Sequence, residues 1–145
     1  MCKMKTKKFI VSLLLLFLMG QEVMAAALTV LPRPNYIEVK NSVIRFEKEL
    51  LINFPKELTT EGEYLITWLK ENTPLNIRKI KKEKNADIVL RIQENNQFKT
   101  KEGYSLKVND AKIIITSHAG EGIFYGIQTL KQLVQSMDGA ITVPD

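Results

Sequence analysis

Four groups of residues have types and spacings that could do chemistry. Gly120, Gly122 and Gly126 lie between a strand-like run and a helix-like run, where backbone N–H groups at a helix start can hold a phosphate. In a G-x-G-x-x-G loop, however, the third glycine would fall at Tyr125, whose side chain would hinder the close helix–strand approach that glycine permits. The spacing therefore predicts that Gly122 and Gly126 bring a helix close to a sheet. His118, the sole histidine, has Glu121 as its nearest acidic neighbour, too little to specify a zinc site or a nucleophile–base pair, and reads as a loop residue at the helix entrance. Tyr64 and Trp68, together with Tyr125, offer flat rings that suit a pyranose, but their i, i+4 spacing is also that of a buried helix face, so core packing is expected. Residues 79–84, K-I-K-K-E-K, would suit an anionic partner such as lipid A or a sulfated glycan, against the simpler expectation of a solvated loop. The sequence holds no adjacent Asp-Glu pair, and no residue is nominated as catalytic, cofactor-binding or metal-ligating.

The elements that would position these residues begin after a leader. Lys3, Lys5, Lys7 and Lys8 form a basic start, Phe9 opens an apolar run that ends at Met19, and Ala25-Ala26-Ala27 supplies small residues before a cleavage point. That is the pattern of a signal peptide over residues 1–27, implying an exported protein, periplasmic or secreted; the run is too short for a spanning helix of about 20 apolar residues. Removing the leader takes four Lys and one Glu from totals of 21 basic and 16 acidic residues, so a formal charge of +5 becomes +2. Scattered charge of that size gives no footprint for nucleic acid. Cys2 leaves with the leader, and the remaining chain has no disulfide, thiolate nucleophile or Cys-based metal site.

From Leu28 onwards the apolar pattern alternates between periods of two and of 3.6 residues, with no internal repeat. Strands are predicted at residues 36–40 and 43–46, joined by a tight hairpin at Asn41-Ser42, and at 50–54. Thr60-Glu61-Gly62-Glu63 has the form of a capping box, and Tyr64, Leu65, Trp68 and Leu69 continue a helix that Asn72-Thr73-Pro74 stops. Further strands are expected at 75–80 and 87–92, then an exposed polar stretch at 94–102. Tyr104, Leu106 and Val108 alternate with polar residues before a turn at Asn109-Asp110-Ala111, and the next strand carries Ile113-Ile114-Ile115, apolar on both faces and so suited to the middle of a sheet. A second helix repeats Ile123, Ile127, Leu130, Val134 and Met137 and ends at Asp138-Gly139; residues 141–143 form a short terminal strand or begin a linker. The fold expected is α+β, a single sheet of about five to seven strands with two amphipathic helices packed on one face.

The string Gly120-Glu121-Gly122-Ile123-Phe124-Tyr125-Gly126-Ile127-Gln128-Thr129-Leu130-Lys131-Gln132-Leu133, preceded by Gly103-Tyr104-Ser105-Leu106-Lys107-Val108 and opened far upstream by Leu31-Pro32-Arg33-Pro34, resembles the accessory N-terminal domain of family 20 glycoside hydrolases. The resemblance implies a non-catalytic domain over residues 28–140, with 141–145 starting a linker to a catalytic domain. It further implies a parent β-N-acetylhexosaminidase that releases terminal GlcNAc or GalNAc, using the substrate's acetamido group as nucleophile and an Asp-Glu pair in a (β/α)₈ barrel. A barrel takes about 250 residues of its own, so the chain is expected to be a fragment without catalytic residues or cofactor.

The partner expected is that barrel, in cis, with no nucleic acid and no membrane span after leader removal. A domain shaped to dock would leave apolar surface bare, and self-association of the isolated domain is a corollary; the positions expected to contribute are the sheet face away from the helices, carrying either Val89 or its alternating neighbours Ile88 and Leu90, and the exit segment Ile141–Val143. The alternative is a stand-alone periplasmic carbohydrate-binding or interaction module.

Overall fold

The structure, a computed structural model, describes residues 36–38, 43–94, 98–109, 112–137 and 140–144. The leader, Leu31-Pro32-Arg33-Pro34, and the turn residues Asn41-Ser42, Asp110-Ala111 and Asp138-Gly139 lie outside the described residues. Nine strands and two α-helices follow in the order β1 (Tyr36–Glu38), β2 (Val43–Phe46), β3 (Glu49–Asn53), α1 (Thr59–Asn72), β4 (Asn76–Lys79), β5 (Ile88–Ile92), β6 (Tyr104–Asn109), β7 (Lys112–Ser117), α2 (Gly120–Leu133), β8 (Gln135–Met137) and β9 (Ala140–Pro144) among the described residues.

The fold is α+β, as the sequence predicts. Six strands form one mixed sheet in the order β1-β6-β7-β5-β3-β4, and a second sheet of three, β2-β9-β8, stands beside it. All neighbours in the large sheet run parallel except β6 and β7, which form the hairpin expected around position 110. Strand β7 lies between β6 and β5, the interior place that its three isoleucines require; Ile113 and Ile115 are fully buried and Ile114 is half-buried on the opposite face.

Both helices lie on one face. Helix α1 packs on β3 and β4, α2 packs on β5, β6 and β7, and the two helices touch. The apolar stripe of α1 is Gly62, Leu65, Ile66 and Leu69, and that of α2 is Gly122, Ile123, Gly126, Ile127, Leu130 and Leu133, each recurring at the three- and four-residue steps that keep one side of a helix inward. Facing them are Leu50, Ile52, Ile88, Leu90, Leu106, Ile113 and Ile115, all fully buried or nearly so.

Four local expectations are corrected. Strands β1 and β2 do not form a hairpin: β1 pairs parallel with β6, Ile37 opposite Leu106, while β2 pairs antiparallel with β9 in the other sheet, Ile44 opposite Val143. Long-range pairing outcompetes the local turn propensity of Asn-Ser. The Thr60 capping box is not formed, because α1 starts at Thr59 with Leu58 as its N-cap and no side-chain cap; a 3₁₀ turn, Lys56–Leu58, leads into it instead. Helix α2 stops at Leu133, and Met137 belongs to strand β8, where pairing with β9 replaces the last helical turn. Within the stretch expected to be exposed, Phe98 is buried against the ring of His118. Of the two alternatives for residues 141–143, the strand is the one formed, as part of β9.

Candidate functional site

The two helices enter the fold side by side, and their first turns frame a groove of about 390 Å³ lined by Thr60, Glu61, Tyr64, Glu121, Phe124 and Tyr125. Its wall includes Phe124, the large apolar side chain that stands out at 41% exposure among the described residues. The helical stripe through Ile123 and Ile127 turns inward, so position 124 necessarily faces out. Its ring lies 5.4 Å from that of Tyr64 and 6.1 Å, edge-on, from that of Tyr125, distances normal for paired aromatic rings.

Tyr64, half-buried in the wall of this groove, joins the two helices. Gln128 Nε2 donates to its hydroxyl oxygen at 3.1 Å and Lys131 Nζ does so at 2.7 Å. These donors, Gln128 first and then Lys131, favour the phenolate and hold the Tyr64 hydroxyl below its usual pKa. The Lys131 ammonium also sits 5.0 Å from the Tyr64 ring centre and 5.2 Å from that of Trp68, within cation–π range of both. Tyr64, Trp68 and Tyr125 are thus half-buried packing residues bound into the interhelical contact, and do not compose a single flat platform. Phe124, which the spacing argument passed over, is the ring that faces water; its place off the isoleucine stripe was the available signal.

The glycines sit where the spacing predicts close approach. A Cβ on Gly126 would overlap Ile115 Cγ2 and come within 3.2 Å of the Tyr104 ring, and one on Gly122 would overlap Ser117 Oγ and the Gly103 carbonyl. Ser117 Oγ donates to the Gly103 carbonyl at 2.6 Å and accepts the Ala119 N–H at 3.2 Å, fixing the turn into α2. The helix entrance is thereby filled by the chain's own groups. Beneath it the Tyr104 hydroxyl pairs with Thr129 Oγ1 at 2.5 Å, and burial raises the Tyr104 pKa despite that bond.

His118 faces the Phe98 ring at 6.0 Å, and its Nδ1 is buried with no hydrogen-bond partner among the described residues. No group of three or more His, Cys, Asp or Glu is placed to hold a metal ion among the described residues. No helix among them is long and apolar enough to cross a membrane. The 79–84 run is exposed except for half-buried Ile80. Of the positions expected to leave apolar surface bare, Ile88, Val89, Leu90 and Val143 do not, being 0–1% exposed.

The sequence matches the profile of glycosyl hydrolase family 20, domain 2, over residues 27–145. Among solved structures, the chain is similar to an N-acetyl-β-hexosaminidase from Streptomyces plicatus, at 25% identity and a TM-score of 0.63, covering 80% of this chain and 26% of that one. It is similar to a family 20 exo-β-N-acetylglucosaminidase from Vibrio harveyi, at 19% identity and a TM-score of 0.64, covering 79% and 18%. It is also similar to a β-N-acetylhexosaminidase from Bacteroides fragilis, at 20% identity and a TM-score of 0.61, covering 81% and 23%. The chain therefore spans about a quarter or less of the length of these relatives.

Proposed function

This chain belongs to the domain 2 family of family 20 glycosyl hydrolases, and from that premise we infer that it serves as the non-catalytic N-terminal domain of an exported β-N-acetylhexosaminidase-like enzyme, packing in cis against the catalytic barrel. The observation that carries this is the family match, which runs from residue 27 to residue 145. The parent activity, release of terminal GlcNAc or GalNAc, follows from what the similar proteins are, and the leader pattern of residues 1–27 supports export to the periplasm or beyond.

The groove around Phe124 supports the structural role. Phe124 is a large apolar side chain left exposed beside two half-buried tyrosines, and so a natural contact for a neighbouring domain. Intrachain domain interfaces cover roughly 600–1,500 Å² and are only partly apolar, which fits a rim of Thr60, Glu61 and Glu121 around three rings.

The test is capture of a separately expressed family 20 barrel by this chain, followed by sedimentation and by the barrel's melting temperature. Binding that raises the barrel's melting temperature, and that Phe124→Ser weakens, supports the docking role. A monomeric chain that ignores the barrel and retains a glycan on an array would replace it with the stand-alone carbohydrate-binding module.

A further inference from the structure

We propose that the turn at residues 81–85, with Arg91 and Lys112 beside it, is a binding surface for a polyanionic glycan. Lys79, Lys81, Lys82 and Lys84 are exposed, four ammonium groups within six residues, with Glu83 as the single carboxylate among them. Glu83 is not free to neutralise its neighbours, since it is ion-paired with Arg91 from β5.

A run of lysines is usually just solvated charge on a mobile loop. This one is held. Every carbonyl from residue 80 to residue 84 accepts a hydrogen bond. Asn53 Nδ2, at the end of β3, donates to the Ile80 and Lys81 carbonyls at 2.9 and 3.1 Å. The Asn85 N–H donates to the Lys82 carbonyl at 3.1 Å, and the Ala86 N–H to that of Glu83 at 3.0 Å. Lys112 Nζ, from β7, reaches the Glu83 and Lys84 carbonyls at 3.4 and 3.2 Å, adding its own positive charge to the patch. The backbone of the array is therefore fixed before any ligand arrives, which removes much of the ordering cost that a flexible lysine tail meets on binding.

Beside the array, at the C-terminal ends of β3 and β5, is a groove of about 510 Å³ whose polar lining is Asn53, Glu57, Lys81, Glu83 and Arg91. Amide, carboxylate and guanidinium together recognise hydroxyl, carboxylate and sulfate groups on one ligand, as a sulfated or uronic-acid sugar chain presents them. A lipid surface fits less well, because the groove is concave and its lining holds no exposed large apolar side chain to insert. A single-stranded nucleic acid would want an open ring to stack on, whereas the Phe54 ring here is covered by Lys79 Nζ at 3.7 Å.

The experiment uses the chain as expressing cells process it, with heparin and polygalacturonate as polyanionic glycan probes. Phosphatidylglycerol vesicles, a single-stranded DNA oligomer and a neutral N-acetylglucosamine oligomer are the comparisons. Wild type is expected to bind heparin at low salt, and the triple variant Lys81→Gln/Lys82→Gln/Lys84→Gln to bind about tenfold or more weakly, with a log–log salt slope smaller by about three. Lys70→Gln/Lys101→Gln, which removes exposed charge elsewhere, should leave heparin affinity within about twofold of wild type. Asn53→Ala, with every lysine present, should weaken binding by a smaller factor by freeing the turn. Melting curves establish that each variant is folded, and the exposed glutamines are not expected to perturb them. The proposal is overturned if wild type does not bind heparin, if the triple variant binds as wild type does, or if the remote charge removals cost as much as the triple. Tighter binding of the vesicles or the DNA than of heparin, through the same lysines, would equally overturn the glycan assignment.

Discussion

At the residue scale the decisive side chains are the ones that are missing. Glycine costs roughly 1 kcal/mol relative to Ala inside a helix, so Gly122 and Gly126 on the inward stripe of α2 need a steric reason, and the overlaps with Ser117, Gly103, Ile115 and Tyr104 supply it. Gly126→Leu is expected to lower stability by about 3 kcal/mol, the upper end of overpacking penalties, because Ile115 is β-branched and locked in the central strand. Chemical denaturation of the two proteins checks this, and a variant as stable as wild type would remove the close-packing account. These glycines were legible in the sequence because a helical period and a propensity cost meet at one position. Phe124 was less so: its position off the stripe predicts exposure, but only the tertiary placement of α1 beside α2 makes an exposed ring part of a groove.

At the element scale, Asp87 ties β3 to β5. Its carboxylate accepts the Leu51 N–H at 2.7 Å, its own N–H donates to the Leu51 carbonyl at 2.8 Å, and its carbonyl accepts the Ile113 N–H at 2.7 Å. Burial raises its pKa above the ordinary 3.8, and this outweighs the Leu51 hydrogen bond, which acts the other way. The native state therefore holds the proton more tightly than the unfolded chain, and this group's contribution to stability falls as pH rises from the ordinary value through the raised one. Asn keeps an acceptor for Leu51 and removes the buried charge. Asp87→Asn should melt at or above wild type at pH 7, with the advantage vanishing below pH of about 4, where the wild-type carboxyl is protonated; a variant that melts lower at pH 7 would mean the charge itself stabilises the strand junction. Helices and central strands were legible here because their apolar periods are long. The β1–β2 hairpin was misread because Asn41-Ser42 carries turn propensity while the true partners, β6 and β9, lie dozens of residues away, and no local pattern encodes such pairing. The end of α2 was misread for a related reason, since Val134 and Met137 continue the helical period although the chain turns into β8.

At the scale of the whole molecule, a domain of this family with two helices on one face of a mixed sheet presents two unlike surfaces: an aromatic groove suited to a neighbouring domain and a fixed lysine array suited to an anionic ligand. The fold class and family were readable from the sequence because the glycine-rich α2 string is long and specific. The lysine array was visible as composition, but its rigidity depends on Asn53 and Lys112, which reach it from β3 and β7 and could not be paired with it along the chain. The central claim is that this chain supports a glycosidase without performing its chemistry, and the direct measurement is hydrolysis of a chromogenic N-acetylglucosaminide by the purified chain. The expected rate is that of buffer alone, since the sequence lacks an Asp-Glu pair and the family assigned to it is a domain outside the barrel. Turnover that survives purification and is abolished by a substitution in this chain would contradict the account.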